Sequence, residues 1–298
     1  MVISLLNLRP LLLKYWDICV HGNDEKRIAS QTPPTGVRTF SDIPYIDDGT
    51  WQHKLDVYRP ESEDGNLPVI VDIHGGGWMY GTKRINEYYN MTLAQHGYTV
   101  FSINYRLVPE CEIDGQLQDC MHALKWIKVN AESYGGDLSR LYITGDSAGG
   151  FLAAYSALLN NSDELRRAFD TVSPMLDIRA VGLTCPVCYM LDSSVQGFYM
   201  KQILGRDFKE TAYCDFVNLD EAVKLSHMPP TYLITCGGDM PARKVTYKAY
   251  NDLKKCGVEC ELNFTPDKKC LHVFNIVDPF SERSKKVNDA MLDFFKAH

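Results

Sequence analysis

The chain has 298 residues, a formal net charge of −7 and a pI near 5.6, a length at which a large central α/β sheet forms as one domain spanning 1–298. The acidic balance argues against nucleic acid or an anionic membrane as partner, since a phosphate-tracking surface needs clustered Lys and Arg and the longest cationic runs are pairs such as Lys254-Lys255 and Lys285-Lys286. Mean hydropathy is −0.23, and no long apolar tract suits binding to a lipid interface.

Met1-Val2-Ile3-Ser4-Leu5-Leu6 is interrupted by Asn7, Arg9 and Pro10 and lacks the positive start and unbroken apolar core of a signal peptide. The expectation is a cytoplasmic protein with its ten cysteines reduced. Residues 1–35 read as an apolar helical stretch followed by a polar, Pro-rich tract from His21 to Thr35. Val37–Ile43 and Gln52–Arg59 then read as an antiparallel pair. Further strands are expected near Val69–Ile73, Tyr98–Asn104, Arg140–Thr144, Val181–Tyr189, Thr231–Cys236 and Val258–Phe264, eight in all. Helices fall between the later strands. Gln116–Tyr134 carries Leu117, Met121, Leu124, Trp126 and Ile127; Ala242–Cys256 ends at Gly257, a suitable left-handed cap; a last helix runs from Glu282 to Phe295. This alternation predicts a mostly parallel, helix-covered sheet with its site at the strands' carboxyl ends. Residues 190–227, like 1–35, stand outside the alternation and are expected to form a lid.

Two motifs carry chemistry, His74-Gly75-Gly76-Gly77-Trp78 and Gly145-Asp146-Ser147-Ala148-Gly149-Gly150, each directly after a strand-like run. The second is G-x-S-x-G between Leu141-Tyr142-Ile143-Thr144 and a run whose apolar residues Phe151, Tyr155, Leu158 and Leu159 share a helix face. Strand, sharp turn and helix expose a serine at the sheet edge, and glycines are needed where a Cβ would strike backbone. Either motif alone reads equally well as a Gly-rich turn. Their conjunction and order, with acid and histidine downstream, point to a nucleophilic Ser147 and to Gly76, Gly77 and Ala148 amides that receive an oxyanion.

Asp239 stands in a Gly-Gly-Asp turn just after the Thr231–Cys236 strand, and His272 follows one helix-strand unit later, so the two can meet at neighbouring strand ends. His227, His96 and His122 fit worse as base, the first preceding every suitable acid and the others lying on helical segments before Ser147. Asp267, in the loop beside His272, stays open as a competing acid. His74 at a strand end is expected to organise the glycine loop. Cys185-Pro186-Val187-Cys188 has redox spacing but falls within the Val181–Tyr189 strand run, which favours a structural role. No Cys or His pair elsewhere completes a zinc site with finger-like spacing.

With Asn104-Tyr105-Arg106-Leu107-Val108-Pro109-Glu110, Gly135-Gly136-Asp137, Gly238-Asp239 and His272-Val273-Phe274, these motifs make the chain similar, over nearly its whole length, to the hormone-sensitive-lipase-like branch of the α/β-hydrolase carboxylesterases. Asn104 departs from the aspartate usual there, and Met240-Pro241 from the usual Pro-Leu. The resemblance implies a mostly parallel eight-stranded α/β-hydrolase sheet flanked by helices, with a small helical cap built from residues 1–35 and 190–227 over the active site. Trp16, Phe198 and Tyr199 are expected in that roof and Trp78 at the pocket floor. It further implies a catalytic triad of Ser147, Asp239 and His272 and hydrolysis of short-chain, acetyl to butyryl, esters through an acyl-enzyme. No cofactor and no metal are expected. The expected partner is a small-molecule ester, without nucleic acid or stable membrane association, and a homodimer is left open. An arylformamidase-type amide hydrolase, a lipase and a non-catalytic ligand-binding relative are the alternatives; retention of all three triad residues speaks against the last.

Overall fold

The structure, a computed structural model, describes residues 8–63, 65–191, 195–205, 207–240 and 242–298, without the side chains of 195–198. Eight strands form one sheet: β1 (Val37–Pro44), β2 (Lys54–Pro60), β3 (Leu67–Ile73), β4 (Thr99–Ile103), β5 (Gly136–Asp146), β6 (Ile178–Thr184), β7 (Thr231–Cys236) and β8 (Cys260–Thr265). Their order is β1-β2-β4-β3-β5-β6-β7-β8, antiparallel at the β1-β2 and β2-β4 pairings and parallel elsewhere. The central strands are mostly apolar because helices cover both faces, leaving no solvated side that would impose alternation; Val69, Ile70, Val71, Ile73, Leu141 and Ile143 are fully buried, with Asp72 a buried polar exception in β3. This is the α/β-hydrolase sheet the motifs imply.

The order brings the two motifs together. β3 pairs with β5 in parallel, with Ile73 opposite Gly145, so the His74–Trp78 loop and the Ser147 turn leave adjacent strands at the same edge. β6, β7 and β8 follow on one side and deliver Asp239 and His272 to that edge.

Three expectations need correction. β6 stops at Thr184, not Tyr189, because Cys185 adopts φ +47°, a left-handed backbone that cannot extend a ladder. Tyr189 instead makes an isolated antiparallel bridge to Asn218. The tract after His21 is helical over Gly22–Ser30; Asp24 and Glu25 suit its first turn, and Arg27 pairs with Asp24 at 3.0 Å. Trp78 does not line a pocket floor. It is buried in the core, edge-on to Phe151 at 5.9 Å.

Residues 190–227 carry the helices Val195–Leu204 and Leu219–Ala222 and short 3-10 turns. Before the sheet, the helix Arg9–Tyr15 runs into a π-helical turn, Trp16–His21. All ten cysteines are free thiols. Among the described residues, no helix is long and apolar enough to cross a membrane.

Candidate active site

Ser147 follows the last residue of β5 and begins the helix Ser147–Asn161. Its φ is +52°, the strained turn that lifts a hydroxyl off the sheet edge. The flanking glycines are compulsory. A Cβ on Gly145 would lie 2.4 Å from the Gly149 carbonyl oxygen, and one on Gly149 would lie 2.0 Å from that of Ile73.

A chain of hydrogen bonds leads back from this hydroxyl. His272 Nε2 is 2.9 Å from Ser147 Oγ, and His272 Nδ1 is 2.8 Å from Asp239 Oδ1. The acid is fully buried while His272 and Ser147 are half-buried, so solvent reaches the reactive end and not the charged one. The turn after β7 is laced to the loop after β8: Gly237 N donates to Thr265 O at 2.8 Å and Gly238 N to Cys270 O at 3.1 Å. Asp239 Oδ1 also accepts from Ala242 N (3.2 Å), and Oδ2 from Thr235 Oγ1 (3.0 Å). Burial pushes the Asp239 carboxyl up, but its bond to His272, the imidazole's charge and donation from Cys185 and Thr235 outweigh that and hold it below the ordinary carboxylate value. Asp267 is elsewhere. Its carboxylate is exposed and engages Arg283 Nη1 at 2.5 Å and the Lys269 amide at 2.8 Å.

Cys185 is the neighbour that sequence reasoning misses. Its thiol, the Asp239 carboxylate and the His272 ring place their ligating atoms within 4.8 Å of one another. Among the described residues this is the one group close enough to hold an ion, although the His272–Asp239 hydrogen bond already spans two of its members. Treating the Cys-Pro-Val-Cys run as strand interior hid this role; a strand end before proline was the available signal.

The glycine loop is aimed by its own carbonyls. In a trans peptide C=O and N–H point in opposite directions, so fixing one fixes the other. Gly75 O accepts from His74 Nδ1 at 2.7 Å, which turns the Gly76 N–H the other way, while the Tyr105 hydroxyl donates to the neighbouring His74 carbonyl at 2.8 Å. Gly76 O accepts from Met79 N (3.2 Å) and Tyr80 N (3.0 Å), which turns out the Gly77 N–H. Gly76 and Gly77 sit at φ +115° and +58°, and a Cβ on Gly76 would lie 1.9 Å from the Tyr80 carbonyl oxygen. The Ala148 amide belongs to the first turn of its helix, where N–H groups have no intrahelical acceptor.

His74 is fully buried and stacked on Tyr105 at 4.5 Å. Burial pulls it down to about 4, so it stays neutral and works as a donor to the loop. Beneath, Asp146 Oδ1 accepts from Gly75 N (3.0 Å) and Asn86 Nδ2 (2.9 Å), tying the loop to the serine turn. Asn86 also reaches Asp72 Oδ2 at 3.2 Å. Burial, then the Asp146 charge, pushes the Asp72 carboxyl up to about 7. Asn104 serves this region as an aspartate would: its Oδ1 accepts from the Lys83 amide.

Over the loop stand Trp16 and Tyr199. A Cβ on Gly77 would meet Trp16 Cζ2 at 2.4 Å and Tyr199 Oη at 2.5 Å. The Phe198 side chain lies outside the described residues.

Fold and geometry define an α/β-hydrolase with a serine, a histidine and a buried acid aligned at its carboxyl edge. The BD-FAE family model matches residues 55–224, and the chain belongs to that family, within the hormone-sensitive-lipase-like carboxylesterases. Esterase LipQ of Mycobacterium tuberculosis is 27% identical over 277 residues, 90% of this chain; the match spans 63% of LipQ. Versiconal hemiacetal acetate esterase of Dothistroma septosporum is 27% identical over 226 residues, covering 72% of this chain and 69% of the relative. Esterase B from Lactobacillus rhamnosis superposes with a TM-score of 0.89 at 29% identity, covering 96% of this chain and 94% of that one; it is also solved inhibited by a C4-C4 tributyrin phosphonate.

Proposed function

We propose that this protein is a serine carboxylesterase acting on short-chain esters of small alcohols. The unbroken Asp239–His272–Ser147 hydrogen-bond chain carries the reading. Ser147 Oγ attacks the ester carbonyl carbon while His272 Nε2 takes its proton. Asp239 holds the Nδ1–H tautomer and stabilises the imidazolium. The oxyanion settles on the Gly76, Gly77 and Ala148 amides, where each donor is worth roughly 10²–10³ in turnover. Collapse breaks the bond to the alcohol, which leaves with the proton from His272. Water, deprotonated by the same imidazole, then frees the carboxylic acid and restores Ser147.

Trp16 and Tyr199 lie against Gly77 of the glycine loop, and on this reading they limit the depth open to an acyl chain. Each buried methylene adds about 0.8 kcal/mol until that depth is filled. An acetate esterase and a butyryl-type phosphonate complex among the relatives support the same range. The cap elements around 1–35 and 190–227 form part of the single domain over 1–298. Ten free thiols fit a reducing, cytoplasmic setting.

The test is a panel of para-nitrophenyl esters of rising acyl length run beside an N-formyl aromatic amine. Highest efficiency from acetate to butyrate, with little turnover at about twelve carbons, supports the reading. Preference for the formamide would reassign the enzyme to amide hydrolysis, and a long-chain optimum would reassign it as a lipase.

A further inference from the structure

One thiol stands at the triad without a part in proton transfer. The ligating atoms of Cys185, Asp239 and His272 lie within 4.8 Å of one another; the first two residues are buried, while the imidazole opens to solvent. Each of the three is anchored separately. Cys185 N donates to Ile234 O at 2.8 Å, and its left-handed φ of +47° takes the chain out of the β6 ladder. Asp239 is gripped by the Ala242 amide and the Thr235 hydroxyl. His272 is entered from Cys270 and Leu271, whose carbonyl oxygens lie 3.0 and 3.3 Å from the Cys236 sulfur. The Cys236 thiol is thereby turned onto backbone, and Cys185 supplies the sulfur grouped with the acid and the imidazole.

A thiolate, a carboxylate and an imidazole are the donor set of a borderline or soft divalent cation, whereas magnesium takes oxygen ligands. Zinc holds sulfur at about 2.3 Å and nitrogen or oxygen at about 2.0–2.2 Å, so its tetrahedral ligands stand roughly 3.3–3.6 Å apart. The three atoms here span no more than 4.8 Å, and closing on an ion takes a shift of about 1 Å, which the half-buried ring can supply. The 2.8 Å bond between His272 Nδ1 and Asp239 Oδ1 gives way to the ion. Protons balance as follows: the Cys185 thiol releases one to solvent, and the imidazole proton passes through water from Nδ1 to Nε2. Nε2, 2.9 Å from Ser147 Oγ, then carries a hydrogen and has no lone pair with which to take the serine's proton.

We propose that Cys185, Asp239 and His272 form an inhibitory site for one thiophilic divalent cation of the zinc and cadmium class. Occupancy removes the general base, and turnover stops. The effect on rate rests on the esterase reading above; the binding rests on the three ligands alone.

The experiment uses a parent protein in which the exposed Cys19 and Cys256 are replaced by serine, and compares it with the same protein carrying Cys185→Ser. Each rate on para-nitrophenyl acetate is taken relative to that protein's own metal-free rate. Zinc and cadmium should inhibit the parent, with recovery on adding EDTA, and magnesium at the same concentration should not. Cys185→Ser should raise the half-inhibitory zinc concentration more than about tenfold and remove one equivalent of thiolate-to-cadmium charge-transfer absorption. Equal inhibition of both proteins would overturn the proposal and place the ion on His272 from the solvent side. Full activity of the parent in zinc would overturn it equally. Should Cys185→Ser fail to fold, zinc-edge X-ray absorption of the parent at one equivalent decides: one sulfur at about 2.3 Å beside nitrogen and oxygen is expected, and a shell without sulfur overturns the site. Failure of the esterase reading is separate: it would appear as metal-free protein without ester turnover, with the cadmium absorption still dependent on Cys185.

Discussion

Replacing Asp239 by asparagine tests the charge behind His272, and the structure predicts which way the new amide turns. Oδ1 of Asp239 accepts from both His272 Nδ1 (2.8 Å) and the Ala242 amide (3.2 Å), whereas Oδ2 faces the Thr235 hydroxyl (3.0 Å). An asparagine NH₂ placed at Oδ1 would confront the Ala242 N–H, donor against donor. Placed at Oδ2 it finds a hydroxyl that can rotate to accept. The amide oxygen therefore stays on His272 and the productive tautomer survives; only the negative charge is lost. A charge about 4 Å from the imidazolium in an effective dielectric near 20 is worth about 4 kcal/mol, or roughly 10³ in rate. Asp239→Asn should thus lower kcat on para-nitrophenyl acetate by roughly 10³, less than the roughly 10⁴ that follows when asparagine traps the wrong tautomer. Asp267→Asn, at an exposed carboxylate paired with Arg283, should stay within about twofold. Steady-state kinetics of both variants decide. A loss under tenfold for Asp239→Asn, or greater damage from Asp267→Asn, would refute the assignment of the acid.

Ser147→Ala should fold as wild type, since alanine takes the same turn without the hydroxyl, and should reduce ester turnover to background. Fluorophosphonate labelling followed by peptide mass spectrometry should mark Ser147 in the wild type; a label elsewhere would identify another nucleophile. A third expectation concerns pH. Asp72 is fully buried with its carboxyl raised from 3.8 to about 7, so between those values the native state keeps a proton that the unfolded chain has released. Stability from this group is therefore present at low pH and lost as pH climbs through 7, by an upper bound on the order of 4 kcal/mol. Asp72→Asn should flatten the decline between pH 5 and 8 in urea denaturation; parallel wild-type and variant curves would show that Asp72 is not the buried acid.

Strand positions, the serine turn and the glycine loop were legible in the sequence because each rests on local chemistry. Apolar runs must become buried strands, and Gly145, Gly76 and Gly149 stand where a Cβ would strike backbone. Asp239 and His272 could be named because one helix-strand unit returns the chain to the same sheet edge. What followed from contacts between distant segments was not legible. Pro186 hints that a strand ends near Cys185, but nothing local announces that φ +47° there sets the thiol beside Asp239. Trp78, expected at the pocket, turned into the core against Phe151, 73 positions further along the chain. Likewise the bond from Tyr199 to Gly77 O spans 122 positions and exists only because the sheet order sets β3 beside β5 and β5 beside β6. Periodicity and glycine placement are properties of neighbours along the chain, so the sequence by itself determined the sheet and the residues at its edge. Which side chains hold those residues depends on who meets whom after folding, and that the tertiary structure alone decided.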